Sequence, residues 1–273
     1  MCLNMFEVLK KSGTAKLLFL IIIMWVILAI VFGFSDLEIS KAVVDEDSVW
    51  GLFGRNYGEA PGYGLIAIGL SVLIGSYAQD IKRQKIPAYV IIVIGLILFM
   101  FGIISSSQVL VLDGGAIIIA LIIFVIFTFK KDWNTYRNIS AVITILAVIN
   151  PLLFVNIAKI LCGRVRFRNL APGFMDYTPW FLPPGPSSSG RSFPSGHTAV
   201  GWMFLPLLIP VKDKKWNNPY KIIMLILVIG WGLFVAMSRV VLGAHYASDV
   251  LFPTGAAAVI TIIFYKKLNL KKS

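Results

Sequence analysis

The sequence predicts an all-α fold, a polytopic transmembrane helical bundle of about eight spans, with six as the alternative, and three observations carry that expectation. Of the 273 residues, 58% are hydrophobic and only 14% charged. The apolar residues fall in runs of about 15 to 21, each long enough to cross a hydrocarbon core of roughly 30 Å. Runs such as LLFLIIIMWVILAIVF (residues 17–32) are apolar on every face, whereas a water-soluble helix keeps a polar side.

Taken in order, span one covers Leu17 to Phe34. The N-terminal stretch before it resembles a signal peptide, but no small-residue cleavage pattern follows, so it is read as an uncleaved first span. Residues 35–62 are acidic and contain Gly and Trp, and are expected to form a loop, with room for an interfacial helix. Span two runs from Tyr63 to Ala78 and span three from Pro87 to Ile104. Span four is the weakest, because Ala116 to Phe129 is short and must borrow from Gln108 to Gly115, where Asp113 and a glycine pair oppose a helix. Span five covers Asn138 to Ala158 and is followed by the longest polar insertion, Lys159 to Phe193. Span six starts at PSGH and ends near Val211, with Pro206 and Pro210 expected to kink or end it. Spans seven and eight cover Ile222 to Ser238 and Asp249 to Tyr265. The whole chain, 1–273, reads as a single domain without an internal repeat.

The net charge of +12 would point to nucleic acid in a soluble domain, but here the cations mark a membrane side, and no nucleic-acid partner is expected. Seventeen of the 25 basic residues fall on the N-terminus and on the loops after spans two, four, six and eight. This places both termini in the cytoplasm of a multi-pass cell-membrane protein. Most of the remaining cations lie in the two external loops that carry the polar motifs, after spans five and seven, an excess that calls for an anion. Cys2 and Cys162 fall on opposite sides of this layout, so neither a disulfide nor a metal cluster is expected.

Three clusters converge on the external face. KILCGRVRF carries Lys159, Arg164 and Arg166 at the end of span five, where cations can clamp a phosphoryl group or bind lipid headgroups without chemistry. RSFPSGHTAV, residues 191–200, runs from a polar turn into an apolar helix, with Pro194 suited to the first helical position. There Ser195 and the backbone N–H groups at Gly196 can donate to an oxyanion, and His197 can protonate a leaving alkoxide. SRVVLGAHYASD carries Arg239, His245 and Asp249. If span eight starts near Gly243, His245 and Asp249 lie four apart on one helical face, a nucleophile with the carboxylate that orients it. Both of the chain's histidines thus lie at one membrane edge beside arginines.

Lys159 with Arg166, then Pro194-Ser195-Gly196-His197, then Ser238-Arg239 with His245 and Asp249, resemble the three signature motifs of the type 2 phosphatidic acid phosphatase superfamily. The resemblance covers Lys159 to Asp249. The N-terminal half adds only hydrophobic spans and a GEAPG stretch, Gly58 to Gly62, to which no chemistry is assigned. One position departs from the pattern: Phe167 stands where the family has proline after the second basic residue.

The resemblance implies a metal-independent membrane phosphatase that needs no cofactor. His245 would attack phosphorus to form a phosphohistidine, Asp249 would orient it, and His197 would protonate the leaving group. Lys159, Arg166, Ser195, Gly196 and Arg239 would hold the phosphoryl oxygens. The expected substrate is a lipid phosphate or diphosphate at the outer face: a polyprenyl diphosphate, phosphatidate, phosphatidylglycerol phosphate or lipid A phosphate. The loop Arg168 to Arg191 would guide it in or serve only as an aromatic membrane anchor. Two other readings are a phosphotransferase using the same phosphohistidine and a lipid-phosphate transporter or binding protein. The second would place charge in mid-span, whereas these charges cluster at span edges.

Overall fold

The structure, a computed structural model, describes residues 13–269. Every regular element among them is helical. In chain order these are α1 (Gly13–Val43), α2 (Val49–Tyr57), α3 (Ala60–Gly75), α4 (Ile86–Ile104), α5 (Gln108–Thr128), α6 (Arg137–Ala147), α7 (Val155–Cys162), α8 (Gly196–Gly201), α9 (Pro219–Val241) and α10 (Ala247–Asn269). A π-helical segment, Val148–Phe154, joins α6 to α7, and a 3-10 segment, Trp202–Val211, continues α8.

Seven helical stretches are long and apolar enough to cross a membrane, and Gly196–Val211 is a shorter apolar helix. By length the expected eight spans therefore become seven and a short one. The short one follows from Pro206 and Pro210, each of which removes an amide donor and leaves a 3-10 run in place of a regular α-helix.

Other boundaries move for identifiable reasons. α1 runs past Phe34 to Val43, because Asp36, expected in a loop, is buried and ion-paired, while Lys41 and Glu38 bridge each other on the outer side at 2.8 Å. The interfacial helix allowed for residues 35–62 is α2. The doubtful fourth span is the regular helix α5. Its glycines are what let it pack: a Cβ at Gly114 would lie 2.7 Å from the Phe99 amide nitrogen of α4. Pro151 gives rise to the π segment, and the buried Asn150 donates its amide to the carbonyl of Pro253 in α10 at 3.0 Å, tying two proline-bearing helices together.

Among the described residues the bundle has two large apolar cores and a small cluster of Ala236, Val240 and Val250. One joins α3, α6, α10 and the 3-10 segment through Leu65, Leu146, Trp202, Met203 and Ala257. The other joins α3, α4 and α5 through Val72, Ala88, Leu121 and Trp133. Beneath the second core Lys85, read from sequence as a membrane-side marker, is buried, donating to the Lys131 carbonyl at 2.8 Å with its ammonium over the Trp133 ring. Cys162 is a free thiol; Cys2 lies outside the described residues, as do the first two lysines and the end of the basic tail.

Candidate active site

The three motif segments meet at one end of the bundle, joined by their backbones. α7 ends at Gly163 in the left-handed conformation, φ 60°, where a Cβ would meet the Gly185 carbonyl oxygen at 2.1 Å. The chain then reverses, and three hydrogen bonds lock the segments: Ser192 N–H to the Arg164 carbonyl at 2.9 Å, Ser195 N–H to the Asp249 carbonyl at 2.9 Å, and Arg168 N–H to the Gly243 carbonyl at 3.1 Å. Ser195, rather than Pro194, opens the helix. Its backbone is extended, its hydroxyl oxygen accepts from Thr198 N–H, and Pro194 stands outside the helical turn after a cis peptide.

Around this junction lie the predicted phosphate ligands. Lys159 occupies the last turn of α7, and its ammonium nitrogen is 3.4 Å from where a Cβ on Gly196 would sit, so the missing side chain leaves it room. Arg239 is buried in the last turn of α9, with Nε and Nη1 unpartnered, and Arg166 Nε is likewise buried without a partner. Lys159, Arg166 and Arg239 are close enough to act on one another's charge. Buried guanidinium donors without a hydrogen-bond partner are costly unless an anion completes them.

His245 is buried, just before α10 rather than inside it. Its Nδ1 lies 2.6 Å from the Ser192 carbonyl and 3.7 Å from Asp249 Oδ2. A carbonyl can only accept, so Nδ1 carries the proton and Nε2 keeps the lone pair. Burial pushes the imidazole pKa down to about 4, opposed by Asp249 and reinforced by Arg239 and Lys159, which keeps it neutral near pH 7. The expected orientation by Asp249 is therefore shared: the direct partner is a backbone carbonyl that sequence reasoning missed. Asp249 holds the same residue, accepting from the Ser192 hydroxyl and from Tyr246 N–H at 2.9 Å.

The other Asp249 oxygen accepts from Arg164 Nη1 at 2.7 Å, which sets Arg164 apart from the neighbouring cations Lys159 and Arg166. This guanidinium is buried and spent on protein partners. It pairs with Asp36 of α1 at 3.0 Å, donates to Ser248 Oγ and the Thr178 carbonyl at 2.9 Å each, and lies 3.9 Å over the Tyr246 ring. Asp36 also accepts from the Ser248 amide at 2.9 Å and from its hydroxyl. Its only signal in the sequence was a lone carboxylate one turn beyond an apolar run.

His197, half-buried at the start of α8, reaches the GEAPG stretch. Its Nδ1 is 3.3 Å from Glu59 Oε1, and its Nε2 is 3.2 Å from the Arg55 carbonyl oxygen. The stretch with no assigned chemistry thus forms the far wall of the pocket.

Phe167, the departure from the motif, lies in a 3-10 turn and stacks on Phe174 at 5.6 Å, with the Tyr246 ring edge-on at 6.4 Å. It takes up its place by packing, and Arg166 beside it still faces the site. The loop beyond lies on α1: Trp180 Nε1 donates to the Ala29 carbonyl at 2.8 Å, and Phe181 meets Phe34. A polar cavity of about 410 Å³ opens between Arg166, Asn169, Asp176 and Arg191 on the outer side of the site.

Residues 139–272 match the family model described as PAP2 superfamily. Phosphatidylglycerophosphatase B of Haemophilus influenzae is 36% identical over 93 residues, which cover 34% of this chain and 39% of that relative. No solved structure matches the chain. All eight residues singled out from the motifs lie within the region that matches the PAP2 superfamily and converge on one pocket.

Proposed function

We propose that this protein is an integral membrane phosphatase that hydrolyses a lipid phosphate or diphosphate monoester at the extracytoplasmic face through a phosphohistidine. The carrying observation is the set of buried, unpartnered guanidinium nitrogens of Arg166 and Arg239, gathered with Lys159 and Gly196 around His245. Such a cluster is complementary to a phosphoryl group whose charge spreads over three oxygens in the transition state. Fixed cations take the part that metal ions play in other phosphatases.

In this reading His245 Nε2 attacks phosphorus while Nδ1–H stays on the Ser192 carbonyl. The bond from phosphorus to the leaving oxygen breaks, and His197 gives that oxygen its proton. Water then attacks the phosphohistidine, passing a proton to His197 as the phosphorus–nitrogen bond breaks, which releases phosphate and restores both histidines. The match to phosphatidylglycerophosphatase B favours phosphatidylglycerol phosphate among the candidate lipids. The cationic loops on the opposite side favour an external active site.

The test is inorganic phosphate release by detergent-solubilised protein from a panel of phosphatidylglycerol phosphate, phosphatidate and polyprenyl diphosphate, with EDTA present. His245→Ala is expected to lose at least about 10⁴-fold in kcat. Equal release by wild type and His245→Ala would sink the assignment of the nucleophile, and complete loss to EDTA would sink the metal-independent reading.

A further inference from the structure

The GEAPG stretch is built to deliver one carboxylate. Glu59 lies in the break between α2 and α3, and the glycines on either side allow the approach. A Cβ at Gly58 would meet the Gly54 carbonyl oxygen at 2.3 Å, and one at Gly62 would meet the Val200 carbonyl oxygen, one turn along α8 from His197, at 2.6 Å. The second acceptor comes from the same place. Arg55 lies in the last turn of α2, where a carbonyl has no intrahelical partner, and it faces His197 Nε2.

Both ring nitrogens of His197 therefore face acceptors, a carboxylate and a carbonyl. One proton shared between Glu59 and Nδ1 and one on Nε2 satisfy both contacts. The other groups acting on this ring are Arg239, His245 and Lys159, and the two cations oppose a further positive charge. Glu59, in contact with the ring, also acts on both cations. His245, whose Nδ1 faces a single carbonyl, is left with the opposite disposition, a free lone pair.

We propose that Glu59 is a positioning residue for leaving-group protonation: by sharing a proton with Nδ1 of His197 it keeps the other on Nε2, as the proton to be given. This rests on the hydrolase reading. During the first step Nε2–H passes from the Arg55 carbonyl to the leaving oxygen as its bond to phosphorus breaks, while the proton shared with Glu59 settles on Nδ1. The water of the second step returns a proton to Nε2.

The role can be separated from a structural one by the leaving group. An alkoxide needs the proton, whereas 4-nitrophenolate departs without it. Glu59→Gln is expected to lower kcat/KM for dodecyl phosphate by about 10- to 100-fold, part of the roughly 10²–10⁴ a general acid supplies, and to leave 4-nitrophenyl phosphate within about threefold. The ratio of the two does not depend on the folded fraction. Glu59→Asp, which draws the charge back by one methylene, should tilt the ratio the same way by less. Equal losses on both substrates, or no loss on either, would overturn the proposal while wild type stays active. Wild type releasing phosphate from neither would overturn the hydrolase reading with it.

Discussion

The two halves of the chain reach the same pocket with a different balance of charge. Residues 139–272 supply both histidines, the cations Lys159, Arg166 and Arg239, and one carboxylate, Asp249. The first helices supply carboxylates, Asp36 from α1 and Glu59 from the turn before α3. The contrast follows from what each half does. A pocket that binds phosphate must gather cations, and gathered cations destabilise the empty site unless carboxylates stand behind them. Asp36 balances Arg164 behind His245, and Glu59 faces the second histidine. The N-terminal spans are thus part of the site's electrostatics rather than only its membrane anchor.

The contrast can be broken first on the C-terminal side. Arg239→Ala removes two of the unpartnered buried donors and is expected to lower kcat by about 10²–10³-fold, as loss of a donor to a developing oxyanion does. Steady-state phosphate release checks this, and a change within threefold would take Arg239 out of the pocket. On the N-terminal side the larger effect should fall on stability. Asp36→Ala leaves Arg164 buried with one carboxylate in place of two and is expected to destabilise the fold by about 3 kcal/mol, seen as a lower thermal midpoint in detergent. An unchanged midpoint would mean that Asp249 alone suffices for Arg164.

The smallest effect is in pH. His245 is neutral above about 4, so its lone pair is available through the neutral range. Below that value the ring takes up a proton, and kcat/KM should fall about tenfold per pH unit. An acid limb near the ordinary histidine value of about 6.5 would show that burial does not hold this imidazole neutral.

Much of the C-terminal half was legible because its signals are local. Apolar run length marks the spans, and Lys159 with Arg166, the PSGH turn, and His245 with Asp249 are recognisable within short windows. The boundaries that moved did so where tertiary contact overrides propensity. Asp36 extends α1 because Arg164 awaits it, and Gly114 fits α5 against α4 where propensity alone argued for a break. The partner of Arg164 was not legible, because a cation in a cluster carries no mark of which one turns inward.

What the sequence determined by itself was the class of fold and the candidate set of site residues, since hydrophobic length and motif spacing are properties of the chain. Which partner each of those side chains meets was decided only in three dimensions. Ser192 lies 53 residues from the histidine it orients, Asp36 lies 128 from its arginine, and Arg55 lies 142 from the ring it faces. Contacts across such distances leave no periodicity behind, because they are made by packed helices and glycine-permitted close approaches rather than by neighbours along the chain.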